Sequence, residues 1–206
     1  MCDKSSSQLQ WIVLWLLFST LCRGATPTLD IKLHSNTDSE KKAKGVIEAL
    51  AQKYDLSPYI FTKQIVIQSK VIPHSHPILT LNTRQVNEPN RYLGVLLHEE
   101  IHRFFEQPSG DGKIESFISK MRAKFPNVPS EAKGGASDVD STYVHLGVCY
   151  YELVALSKLL GEKEATQIFS TEDVYTWVRA QVLANREFIA RSLEESGLAW
   201  KDATQS

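Results

Sequence analysis

Val95-Leu96-Leu97-His98-Glu99-Glu100-Ile101-His102 is the stretch on which the reading of this chain turns. Residues four apart on an α-helix lie about 40° apart around the axis and one turn up. His98 and His102 therefore point two imidazoles at one spot, the arrangement a bound Zn²⁺ uses. Glu99 lies about 100° round from His98, close enough to reach a water at such a metal without ligating it. A general base belongs there. The three apolar residues before His98 place the metal side of this helix against a core. An accidental match on an amphipathic helix is the alternative.

The whole chain sets broad bounds. It has 206 residues, 42% hydrophobic and 23% charged, with a formal net charge of -1. That composition is ordinary for a globular domain with one sizeable core. Near-neutral charge removes the usual argument for a nucleic-acid partner. Trp11 to Cys22 is an apolar run behind a short polar start, the length of a signal-peptide core rather than a membrane span. Gly24 and Ala25 supply small residues for cleavage. Residues 1–24 are thus expected to be a signal peptide, or else an uncleaved N-terminal anchor, and the protein to be exported (periplasmic or extracellular). Ser19-Thr20-Leu21 is a poor context for lipidation at Cys22. Cys149 is then the single cysteine of residues 25–206, so no internal disulfide is expected.

Residues 28–34 alternate apolar and polar as a half-buried strand does. Thr37-Asp38-Ser39-Glu40 is a capping-box pattern opening a helix to about Tyr54. Residues 60–68, rich in β-branched side chains, read as a second strand, and residues 78–83 as a third, with Pro77 favouring an edge. An edge strand beside the histidine helix suits an extended peptide that adds by main-chain pairing, with His74 and His76 flanking the cleft. Asn90 is the expected N-cap of a helix over 91–106. A short amphipathic helix follows, carrying Ile114, Phe117, Met121 and Phe125. The Pro/Gly-rich 126–138 reads as a loop or a lid. Asp140 or Ser141 caps an apolar helix over 142–160. After Gly161 come a short helix and then one long helix from about Ser170 to Ser196, with Val174, Val178, Val182, Ile189 and Leu193 as its core stripe.

Catalytic zinc normally takes three protein ligands. The helix over 142–160 carries His145, Cys149 and Glu152 on one face, where polar groups are costly to bury unless paired. Glu152 is the expected third ligand and His145 the alternative. Two turns separate them, about 10 Å along the axis, so both do not serve one ion. If Glu152 ligates, His145 faces substrate; if His145 ligates, Glu152 becomes a buried supporting carboxylate. Cys149 reads as a small buried hydrophobe.

The order of strand, helix, strands, H-E-x-x-H helix and Glu-bearing helix, spanning residues 28–160, resembles the zincin metallopeptidases. A distal Glu ligand makes it similar to their gluzincin branch, and the metzincin extension is absent after Arg103. The resemblance implies an α+β, zincin-like domain over 25–206, with a small N-terminal antiparallel or mixed sheet and a helical C-terminal half. It implies Zn²⁺ held by His98, His102 and Glu152, Glu99 as base, and a peptide or protein as substrate. Tyr143 and His145 are the candidates for steadying the oxyanion. Glu100 stands where zincins carry an uncharged residue; about 200° round from His98, it is expected to be solvated. A metal-stabilised binding module without turnover is the rival reading, and a metal-free helical interaction domain a third.

Overall fold

A computed structural model of the chain describes residues 29–106 and 112–200. The expected signal or anchor over 1–24 lies outside the described residues. Among the described residues no helix is long and apolar enough to cross a membrane.

Three short strands open the fold. Strand β1 (Asp30–Leu33) leads into helix α1 (Asp38–Lys53), and β2 (Gln64–Ile67) and β3 (Leu79–Leu81) follow. The sheet order is β1-β2-β3, and both pairings are parallel. This corrects the expectation of an antiparallel or mixed sheet. A helix between β1 and β2 returns the chain to the end from which it started, so β2 must run alongside β1 in the same sense. The capping box that announced α1 carried that consequence. The antiparallel feature is a single bridge, His74 to Thr80, on the outer edge of β3. His74 and Thr80 exchange both main-chain bonds, at 3.0 and 2.8 Å. At Thr80, then, the edge expected to take a substrate strand is already paired within the chain.

Helix α2 (Pro89–Phe105) carries the histidine motif. Glu88 holds its N-cap position and Pro89 its first turn, so the helix begins ahead of Asn90. Helix α3 (Lys113–Lys124) and helix α4 (Val139–Leu160) come next. Asp138, rather than Asp140 or Ser141, caps α4 by accepting from Ser141 N at 2.7 Å. Helix α4 is apolar nearly all round and packs against α2, α3 and the helices that follow it, as a helix at the centre of a domain must.

The single long C-terminal helix is corrected too. The segment divides into α5 (Glu162–Thr171), α6 (Thr176–Ala184) and α7 (Arg186–Glu195). Tyr175 is left-handed at φ 53°, and Asn185 departs from helical angles at φ -131°. Val174, read as core, is 50% exposed because it falls in the turn before α6. The loop over 126–138 is anchored rather than free. Gly134, at φ 89°, offers its carbonyl to Trp177 N at 3.1 Å and so satisfies the open N-terminus of α6. A Cβ there would run into the backbone of that turn.

Glu40 shows how tightly the N-terminal unit is tied. Its carboxylate accepts from Ser35 N at 2.9 Å and Thr37 N at 3.3 Å, and from Ser69 N, past the end of β2, at 3.2 Å. Burial alone would raise its pKa, but the backbone donors hold it below the ordinary 4.5. A depressed carboxylate contributes stability at neutral pH that is lost as pH falls through the carboxylate range. Glu40→Gln should lower the unfolding free energy by about 1–2 kcal/mol at pH 7. Urea titrations at falling pH should show that difference shrinking below about pH 4.

Candidate metal centre

Helices α2 and α4 cross so that His98, His102 and His145 bring ring nitrogens within 4.8 Å of one another. The Nε2 atoms of His98 and His102 are 3.2 Å apart. Two nitrogens at a zinc-ligand distance of about 2.0–2.1 Å with tetrahedral angles lie about 3.3–3.4 Å apart, so the spacing suits a shared ion.

Hydrogen bonding fixes which nitrogens are available. His145 Nδ1 lies 2.7 Å from Ser141 O. A carbonyl only accepts, so Nδ1 carries the proton and Nε2 of the neutral ring is a bare acceptor. That Nε2 is buried and has no partner among the described residues. His98 Nδ1 likewise faces a carboxylate, Glu152 Oε2 at 2.9 Å, and must donate to it, which turns Nε2 toward His102. An imidazole whose far N–H is held by a carboxylate or a carbonyl is the usual form of a metal-ligating histidine.

Glu152 is engaged elsewhere. Arg179 on α6 grips it with two bonds, Nη1 to Oε1 at 2.9 Å and Nη2 to Oε2 at 3.1 Å. The structure therefore brings His145, not Glu152, to the two motif histidines. Glu152 sits behind His98, whose ring spans the gap between them. A second grouping of His98, Cys149 and Glu152 is wholly buried. The guanidinium on Glu152 already supplies its cation, which leaves that grouping a hydrogen-bonded cluster.

Burial sets the protonation of the trio. Desolvation works against charge on His98, but hydrogen bonds to Cys149 and Glu152, with the Glu152 charge, push its pKa up to about 10. Desolvation, reinforced by charge on His98, takes His145 down to about 4 and His102 lower still. Both are neutral at pH 7 and present lone pairs. Desolvation raises the Glu99 carboxyl, and a charge on His98 or His74 opposes that rise.

The other expected residues fall as follows. Glu99 is buried and lines a cavity beside His98. Tyr143 is not brought to the histidines: its hydroxyl donates to Phe125 O at 2.7 Å. Glu100 is fully buried rather than solvated, because Oε2 accepts from Phe61 N at 2.8 Å and Thr62 N at 3.0 Å just ahead of β2. That burial pushes its carboxyl up to about 7. His74 is close enough to act electrostatically on Glu99, whereas His76 pairs with Glu106.

Two neighbours gave little sequence signal. Tyr175 stacks on His98 with ring centroids 5.5 Å apart and planes 10° apart, and reaches His145 at 4.3 Å. Its left-handed backbone is rare for an aromatic residue and costs roughly 1–3 kcal/mol. Arg179 was hidden on the apolar face of α6 between Val178 and Val182. A charge flanked by core valines was the one available clue. Comparison with known protein families, with curated proteins and with solved structures finds no match.

Arg179→Met leaves Glu152 buried without its cation and should cost about 3–5 kcal/mol. Adding Glu152→Gln to Arg179→Met should recover part of that loss, because no orphaned carboxylate remains. Chemical denaturation of the two variants checks both outcomes.

Proposed function

We propose that this chain is a metal-dependent hydrolase, in its simplest form a zinc metallopeptidase, with His98, His102 and His145 as ligands and Glu99 as general base. One observation carries the reading. Three imidazoles converge, those of His98 and His145 have the far N–H tied down, and the near nitrogen of His145 is buried without a partner. A buried acceptor with no donor is unfavourable by about 1–3 kcal/mol, which a bound cation would offset. When bound, zinc supplies a Lewis acid and makes water a nucleophile near neutral pH.

The chain's own residues supply the rest. His98 is held in one orientation by Glu152, and His145 by Ser141 O, so two of the three ligands are oriented before any ion arrives. Glu99, next to His98 and open to the cavity, takes the proton from the attacking water and returns it to the leaving amine. The cavity lined by His98 and Glu99 gives a scissile bond access to that carboxylate.

A metal-stabilised module without turnover is favoured by one observation, the Tyr175 ring lying over His98 and His145. Metal content and hydrolysis separate the two readings. Purified protein should hold one zinc per chain, and His145→Ala should lose it. Glu152→Gln should keep zinc with affinity weakened about 10–100-fold. Glu99→Gln should keep zinc and lose about 100-fold or more in peptide hydrolysis. Undiminished hydrolysis by Glu99→Gln would sink the mechanism, and zinc-loaded protein inert toward a broad peptide library would favour the module.

A further inference from the structure

The cavity beside the motif helix reaches His98 and Glu99, but its lining includes neither His102 nor His145. Tyr175 is the wall between. It lines the cavity and brings its ring to His145, centroid to centroid at 4.3 Å, and to His98 at 5.5 Å with the planes 10° apart. His145, with its buried and unpartnered Nε2, lies behind this ring as approached from the cavity.

The backbone at Tyr175 is fixed, and the ring is not. Glu172 accepts from Arg91 Nε at 2.9 Å, and Val174 O accepts from Arg179 Nε at 3.3 Å. Tyr175 O accepts from Arg179 N at 2.8 Å, and Trp177 N donates to Gly134 O at 3.1 Å. These bonds pin the turn on both sides of Tyr175. Its left-handed φ of 53° aims the side chain inward at the histidines. The hydroxyls of Tyr92, Tyr143 and Tyr151 are each tied to a main-chain carbonyl, at 2.8, 2.7 and 2.8 Å. The Tyr175 hydroxyl has no such bond among the described residues, so stacking on two imidazoles is what holds the ring inward. A half-buried side chain held that way turns about its own Cα–Cβ bond without moving the backbone.

We propose that Tyr175 is a gate between the cavity and His145 and, on the reading of the three histidines as a metal centre, the gate of that centre. Turned inward, as in this structure, its ring separates the cavity from His145. Turned outward, it joins the two, and an ion or a substrate group entering by the cavity reaches His145 as well as His98 and Glu99. Gating by a side chain rather than a loop suits a turn tied at both ends. The ring gates, and the hydroxyl has no part in it. A gate changes how fast the histidines are reached and leaves how tightly they bind nearly unchanged. An open conformer populated at about 0.1–10% passes a reagent at that fraction of the ungated rate.

Two measurements, neither of which reads turnover, test the gate. Tyr175→Gly removes the ring at a φ that glycine adopts without strain, and Tyr175→Phe keeps the ring without its hydroxyl. In the first, metal-free protein is treated with diethyl pyrocarbonate, which acylates an unprotonated imidazole nitrogen, and each histidine is followed by mass spectrometry. Modification of His145 should be slow in wild type and in Tyr175→Phe and about 10-fold or more faster in Tyr175→Gly. The exposed His34 and His74 should react alike in all three. Equal rates at His145 in wild type and Tyr175→Gly would overturn the gate. In the second, zinc uptake by metal-free protein and zinc loss to excess chelator are timed. Tyr175→Gly should speed both by about 10-fold or more, with the dissociation constant within about 3-fold of wild type. Faster loss without faster uptake would make Tyr175 part of the binding site and overturn the gate. Shielding of His145 by the Tyr175 ring in protein that takes up no zinc would uphold the gate and end the metal reading.

Discussion

A carboxylate held between a guanidinium and an imidazole, all three buried, fixes the centre of this molecule. Arg179 on α6 binds both oxygens of Glu152 on α4, and one of those oxygens also accepts from His98 on α2. The guanidinium further lies over the Phe169 ring of α5 at 4.5 Å. Charges taken out of water are costly, and only near-complete pairing repays the cost. The geometry is accordingly unforgiving. Four helices must meet at one angle and depth for it to close, and the orientation of His98 follows from that closure.

The consequences run outward from there. With Nδ1 of His98 spent on Glu152, its other nitrogen faces His102, and His145 completes the cluster from one end of α4. The same contact holds the Glu152 carboxylate behind His98, away from His102 and His145. The turn before α6 brings Tyr175 over the cluster in a strained left-handed conformation, and Gly134 supports that turn from beneath. Strain at Tyr175 and an unpartnered buried nitrogen on His145 meet at one place, the pattern expected where a fold gives up stability for a site.

Much of this was legible in the sequence, and the misses have identifiable causes. The capping box at Thr37, the motif helix and the apolar helix carrying His145 all follow local rules of spacing and capping. The sheet's direction is readable from the helix between β1 and β2, whereas the resemblance to the zincins implies an antiparallel or mixed sheet. Tyr143 could have been excluded, since two residues on a helix put it about 200° from His145. The choice between His145 and Glu152 could not be made locally. It depends on Arg179, which approaches from a different helix and whose position only tertiary packing decides. Glu100 was misplaced for a related reason, because its partners are main-chain N–H groups of a distant segment. Tyr175 was hidden because nothing in Asp173-Val174-Tyr175-Thr176 announces a left-handed residue.

The central claim is the identity of the ligand set, and X-ray absorption at the zinc edge of the loaded protein tests it most directly. Coordination by His98, His102 and His145 predicts a first shell of nitrogen and oxygen only, at about 2.0–2.1 Å, with the outer-shell scattering of three imidazoles. A sulfur scatterer at about 2.3 Å would place the ion with Cys149 and Glu152 instead, and would contradict the account.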